Sequence, residues 1–127
     1  MRVGPATPLP LLIATAAALD NGLSRTPVMG YNTWNDMRCS DVSASAVEGI
    51  ADSMQSLGLV TRGYQYLNVD DCWAVRLGRE GQLVEDPSAF PDGLGALVDR
   101  VHSRGLRFGI YADRGHRTCA FRPGSIG

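Results

Sequence analysis

YLNVDDCW, residues 66–73, is the stretch that decides the fold. Tyr66, Leu67 and Val69 are aromatic, apolar or β-branched, which suits a pleated, half-buried surface. The run then meets Asp70 and Asp71, followed by Cys72 and Trp73. Two adjacent carboxylates repel each other, and an aromatic beside them is costly to leave in water. In parallel α/β folds, ligands bind at the carboxyl ends of the strands. The stretch therefore predicts a strand over 64–69 whose end faces a polar ligand.

The flanking sequence supports a parallel sheet. Upstream, SASAVEGIADSMQSL (43–57) predicts a helix. Val47, Ile50, Ala51, Met54 and Leu57 recur at helical spacing, with Glu48, Asp52 and Gln55 turned away. Ser43 and Ser45 are N-cap candidates, Ser45 with Glu48 fits a capping box, and Gly58 is placed to stop the helix. VMGYNTW (28–34) predicts an earlier short strand. Downstream, 74–90 is polar and turn-rich, with room for a small hairpin. A second helix opens at Phe90-Pro91-Asp92-Gly93, carries Leu94, Leu97, Val98 and Val101, and stops at Gly105. LRFGIYA (106–112) is a third strand, ending at Asp113. The unit of helix, loop, strand and acid thus occurs twice. Such alternation implies a parallel sheet covered by helices, with right-handed connections. A closed (β/α)8 barrel takes about 250 residues. Three strands are therefore expected to be part of a larger α/β fold; the alternative is a small three-stranded domain with raw edges.

Composition is that of an ordinary soluble globular chain: 127 residues, 44% hydrophobic, 20% charged and a formal net charge of −1. It offers no basic surplus for nucleic acid or an anionic membrane. Residues 1–18 read as a secretory signal peptide. Arg2 supplies the basic start, LPLLIATAAAL (9–19) the apolar stretch, and Ala16-Ala17-Ala18 a cleavage site. That stretch is shorter than the roughly 20 residues a membrane span needs. The mature domain is then 19–127. Secretion permits disulfides. Cys39, Cys72 and Cys119 make an odd set, implying a free thiol, an intermolecular bond or a missing partner. No Asn-x-Ser/Thr acceptor is present.

The expected strand ends bring Asn32, Trp34, Asp70, Asp71, Tyr111 and Asp113 to one rim. Two chemistries fit. Asp70, Asp71 and Asp113 with His116 are candidate metal ligands, although no His-x-His or His-Glu-x-x-His spacing accompanies them. A sugar is the other. Carboxylates accept strong, charge-assisted hydrogen bonds from hydroxyls, and Trp34 and Tyr111 can cover the C–H face of a pyranose. Spacing alone also makes Asp70, Asp71 and Asp113 candidates for a catalytic carboxylate pair. His102 falls on the outer face of the second helix.

LDNGLSRTPVMGYNTWNDMRC, GYQYLNVDDCWA, FPDGLGALVDRVHSRGLRFGIYAD and TCAFRPGSIG together resemble the α-galactosidase (melibiase) family of retaining glycoside hydrolases, family 27. The resemblance runs from near Leu19 to Gly127. It implies that the chain is the first part, three strands and two helices, of an incomplete (β/α)8 TIM barrel. It implies that Asp70 and Asp71 hydrogen-bond galactose, chiefly at the hydroxyls on carbons 4 and 6, and that Trp34 and Tyr111 line the pocket. Both catalytic aspartates would lie on later strands, the fourth and sixth, so no catalytic residue is expected within 1–127 and this chain alone is expected to be inactive. Cys39 and Cys72 would form a disulfide; the partner of Cys119 would lie beyond Gly127. Tyr31 departs from the tryptophan many relatives carry, keeping an aromatic wall with an added hydroxyl. The implied partner is a galactoside; no cofactor or metal is implied, and the family is often monomeric or homodimeric. A secreted, lysosomal or vacuolar location follows from the leader. An α-N-acetylgalactosaminidase and a non-catalytic galactose-binding fragment are the alternatives.

Overall fold

The computed structural model describes residues 21–23 and 25–126; the expected signal peptide, residues 1–18, lies outside the described residues. Strand β1 (Gly30–Asn32) runs into a one-turn helix α1 (Trp34–Met37), then helix α2 (Ala44–Ser56) and a 3-10 turn (Val60–Arg62). Strand β2 (Tyr66–Val69) follows, then the hairpin strands β3 (Ala74–Leu77) and β4 (Leu83–Glu85). Helix α3 (Gly93–His102) and strand β5 (Arg107–Ile110) complete the order. β1, β2 and β5 form one parallel sheet in that order, so β2 is central. β3 and β4 pair antiparallel as the expected hairpin.

Strand alternation gives the sheet two different faces. Leu67 and Val69 are wholly buried and pack with Val47, Ala51 and Met54 of α2, Leu97 and Val101 of α3, and Phe90. Truncating a filled core position of this kind typically costs about 2–5 kcal/mol. The opposite face is polar. Register aligns Asn32 with Asn68, and Asn68 with Gly109. Gly109 belongs there because a Cβ would meet the Asn68 side-chain oxygen at 2.1 Å. Toward the other end of the strands, Arg107 lies over the Tyr66 ring and donates to its hydroxyl at 3.1 Å.

Several sequence expectations are corrected. The first strand stops at Asn32, and Trp34 opens α1 instead of continuing it. Ser43, not Ser45, caps α2, accepting from the Ala46 amide at 3.3 Å. Glu48 takes no part in a capping box. It pairs with Arg100 at 2.7 Å, and Asp52 pairs with Arg104, so these acids tie α2 to α3. With side chains 21–59% exposed, these pairs are screened and individually modest. Leu57 leaves the core face, 66% exposed, because it sits at the helix C-cap. Gly58 (φ 68°) and Gly105 (φ 77°) take the left-handed conformation expected of helix stops.

Candidate functional site

The carboxyl end of β2 is held from both neighbouring strands. On the β1 side, Thr33 is wholly buried. Its amide donates to the Asn68 carbonyl at 3.1 Å, and its Oγ1 accepts from the Asp70 amide at 3.0 Å. Asn32 Nδ2 donates to Asp70 Oδ2 at 2.9 Å, while Asn32 Oδ1 accepts from the Trp34 amide. On the β5 side, Trp73 Nε1 donates to the Tyr111 carbonyl at 2.8 Å. The Tyr111 amide in turn donates to the Val69 carbonyl.

The two aspartates coexist because each is given N–H donors. Asp70 Oδ1 accepts from the Asp71 amide at 2.8 Å, in addition to the Asn32 bond. Asp71 is 3% exposed; its Oδ1 accepts from the Cys72 amide at 2.7 Å and its Oδ2 from the Ala120 amide at 3.0 Å. Charge-assisted bonds of this kind offset burial and mutual repulsion. Trp73 is buried beside them, so its ring is not left in water. Cys72 adopts φ 78°, rare for a residue with a side chain, and is joined to Cys39 by the expected disulfide.

A depression of about 290 Å³ opens over these strand ends, lined by Asn32, Asn68, Val69, Asp70, Gly109, Ile110 and Tyr111. Of the sequence-selected residues, Asp70, Asn32 and Tyr111 therefore meet in one place. Asp71 lies beneath it as a buried tie, and Trp34 stands at the start of α1, half-buried, outside this lining. Burial pushes the Tyr111 phenol above its ordinary pKa, and the negative charges of Cys119, Asp113, Asp71 and Asp70 push it further. The Asp113 carbonyl accepts from the Ser125 amide and hydroxyl, anchoring the loop after β5.

Other candidates fall elsewhere. Tyr31 faces the helix side of the sheet, where its hydroxyl donates to Asp36; it does not wall the depression. Burial, then Asp36, pushes its pKa up to about 12. His102 and His116 are exposed. Among the described residues, no three His, Cys, Asp or Glu side chains come together, so Asp70, Asp71, Asp113 and His116 do not form a metal cluster. Cys119 is free and exposed. Sequence reasoning missed Thr33 and Asn68. Each is an ordinary polar residue whose role appears only once the strand register is known.

The family model described as Alpha galactosidase A (Melibiase_2) matches residues 26–127. The chain belongs to this α-galactosidase family. Among curated α-galactosidases, that of Cyamopsis tetragonoloba is 50% identical over 110 residues, 85% of this chain and 26% of its own length. The probable α-galactosidase of Dictyostelium discoideum is 41% identical over 127 residues, covering 100% of this chain and 33% of its own. The solved α-galactosidase of Saccharomyces cerevisiae superposes with TM-score 0.78 at 42% identity, over 84% of this chain and 24% of that one. α-Galactosidase I of Mortierella vinacea gives 0.79 at 40%, over 86% and 28%. The chain thus spans about a quarter to a third of the length of these relatives. Its sheet, helical on one face and unpaired along β1 and β5 among the described residues, is an unclosed portion of the family's (β/α)8 barrel.

Proposed function

We propose that the protein is an α-galactosidase that removes terminal α-galactosyl groups with retention of configuration, and that residues 19–127 are the part of its barrel that receives the galactosyl ring. The observation that carries this reading is the paired-aspartate strand end, held open over a polar depression, in a chain half identical to a curated α-galactosidase. A structure of the Saccharomyces relative contains raffinose, itself an α-galactoside.

In this reading Asp70 and Asp71 accept hydrogen bonds from the galactose hydroxyls on carbons 4 and 6. Each carboxylate oxygen keeps a second lone pair beyond the N–H bonds already made, so acceptor capacity remains. Tyr111 presents a phenol that burial keeps protonated to higher pH, and so able to donate. Trp34 closes the β1 side. Retention requires a nucleophile and an acid/base carboxyl roughly 5–5.5 Å apart. That pair is assigned to later strands of the barrel; the residues here bind and orient. The likeness to a putative α-N-acetylgalactosaminidase from Bacillus halodurans is lower, 29% identity at TM-score 0.65, which favours galactose. We also assign 1–18 as a cleaved leader and the enzyme to the secretory route, which N-terminal sequencing of the mature protein tests.

The experiment is hydrolysis of an aryl α-galactoside by the full-length protein, with proton NMR of the first sugar released. The α-anomer is expected. The β-anomer, or no hydrolysis of a folded sample, overturns the reading.

A further inference from the structure

Helix α1 is a single turn that begins with Trp34, directly after β1. One turn is marginal by itself, because nucleation fixes several residues for each hydrogen bond gained. The backbone closes it with the Met37 amide on the Thr33 carbonyl at 2.8 Å and the Arg38 amide on the Trp34 carbonyl at 3.0 Å. Thr33, at the N-cap, gives the turn no side-chain bond, since its Oγ1 is taken by the Asp70 amide. Arg38, at φ 50°, ends the turn abruptly. The stance of the turn therefore depends on side chains that reach it from the strand.

β1 supplies them from both of its faces. Asn32 lies on the polar face, and its Oδ1 accepts from the Trp34 amide at 2.9 Å. Tyr31 lies on the helix face, where its ring packs against the core and its hydroxyl donates to Asp36. The first residue of the turn is thus tied to one face of the strand and the third to the other. A hydroxyl donating to a carboxylate belongs to the stronger, charge-assisted class. Burial, then Asp36, pushes the Tyr31 phenol up to about 12, so it remains a donor through neutral pH. Packing accounts for the Tyr31 ring. It does not account for the hydroxyl, which serves the turn that begins with Trp34.

We propose that Tyr31 and Asp36 form a positioning pair that fixes the stance of Trp34 at the galactosyl site. The inference rests on the α-galactosidase reading, in which Trp34 closes the β1 side. It makes two residues that touch no sugar determinants of galactoside binding.

The test is a double-mutant cycle in the full-length protein. Tyr31→Phe removes one oxygen and keeps the ring; Asp36→Ala removes the acceptor. Each is expected to raise KM for an aryl α-galactoside about three- to fivefold, with kcat changed less than about twofold. The double variant should be no worse than either single one, because both groups act through one bond. Asp36→Asn keeps an acceptor oxygen and should stay within about twofold of wild type. A merely structural role would lower the thermal midpoint and leave KM unchanged. Trp34 is followed independently of activity by fluorine NMR of protein labelled with fluorotryptophan, its signal being the one lost in Trp34→Phe. That signal should shift in Tyr31→Phe and Asp36→Ala and hold in Asp36→Asn. Unmoved KM values, additive losses in the double variant, or an unmoved Trp34 signal overturn the pair. A wild type that hydrolyses no α-galactoside, with the Trp34 signal still shifting in the variants, would instead remove the α-galactosidase reading and the pair's part in binding with it.

Discussion

The ends of β2 and β5 both deliver acids to the same rim, yet they are built differently. Asp70 and Asp71, after β2, receive N–H groups from Asn32, Asp71, Cys72 and Ala120 and are backed by buried Thr33 and Trp73. Asp113, after β5, anchors a loop mainly through its main-chain carbonyl. The difference lies in the donors each end receives: the β2 end is gripped from β1 through Asn32 and Thr33 and from the β5 side through the Trp73–Tyr111 and Asp71–Ala120 bonds. The local sequences, a strand followed by acid, look much alike.

The comparison breaks most severely if the covalent tie at β2 is removed. The Cys39–Cys72 bridge closes a separation of 33 residues, for which chain entropy predicts about 3–4 kcal/mol. Replacing both cysteines by serine in the full-length protein should lower stability by roughly that amount, read as a shift in urea midpoint. A change below about 1 kcal/mol would mean that hydrogen bonds alone set the β2 end. Asp71→Ala comes next. It strands the Cys72 and Ala120 amides, which should cost about 2–3 kcal/mol. Asp113→Ala should cost less than about 0.5 kcal/mol. Equal costs would erase the contrast.

Thr33→Val sharpens the comparison on the β1 side. The isosteric change keeps the packing and removes the acceptor for the Asp70 amide, at an expected cost of about 1–1.5 kcal/mol. Because it loosens Asp70 rather than deleting it, KM for a galactoside should rise with little change in kcat. A fall in kcat alone would place Thr33 outside substrate binding.

Thr33 also marks where the sequence stopped being legible. The two αβ units, the hairpin and the parallel order were readable, because helical spacing and strand composition are local signals. The acids and aromatics at the strand ends were readable because the fold sends ligands there. What local pattern did not supply was register. Asn68 looks like any polar strand residue until it lies between Asn32 and Gly109. Glu48 fitted a capping box with Ser45, but a long-range pairing with Arg100 and Arg104 won. Asp71 read as a sugar receptor, and only the fold reveals its bond to Ala120, 49 residues away.

The smallest effect tests whether the two strand ends feel each other through space. Burial is the main reason the Tyr111 phenol is raised, with Cys119, Asp113, Asp71 and Asp70 adding in that order. A phenol raised in the folded state is still protonated after its unfolded counterpart has ionised. Its contribution to stability is thus complete below the unfolded value near 10 and is lost as pH climbs through the higher folded value. Asp113→Asn removes one nearby charge without touching the burial. The Tyr111 pKa, followed by carbon NMR of the tyrosine ring, should fall while staying above that of an ordinary phenol. Asp70→Asn should lower it by less. A larger response to Asp70 than to Asp113 would mean that the β2 carboxylates, though strapped to backbone amides, still set the field at the β5 end.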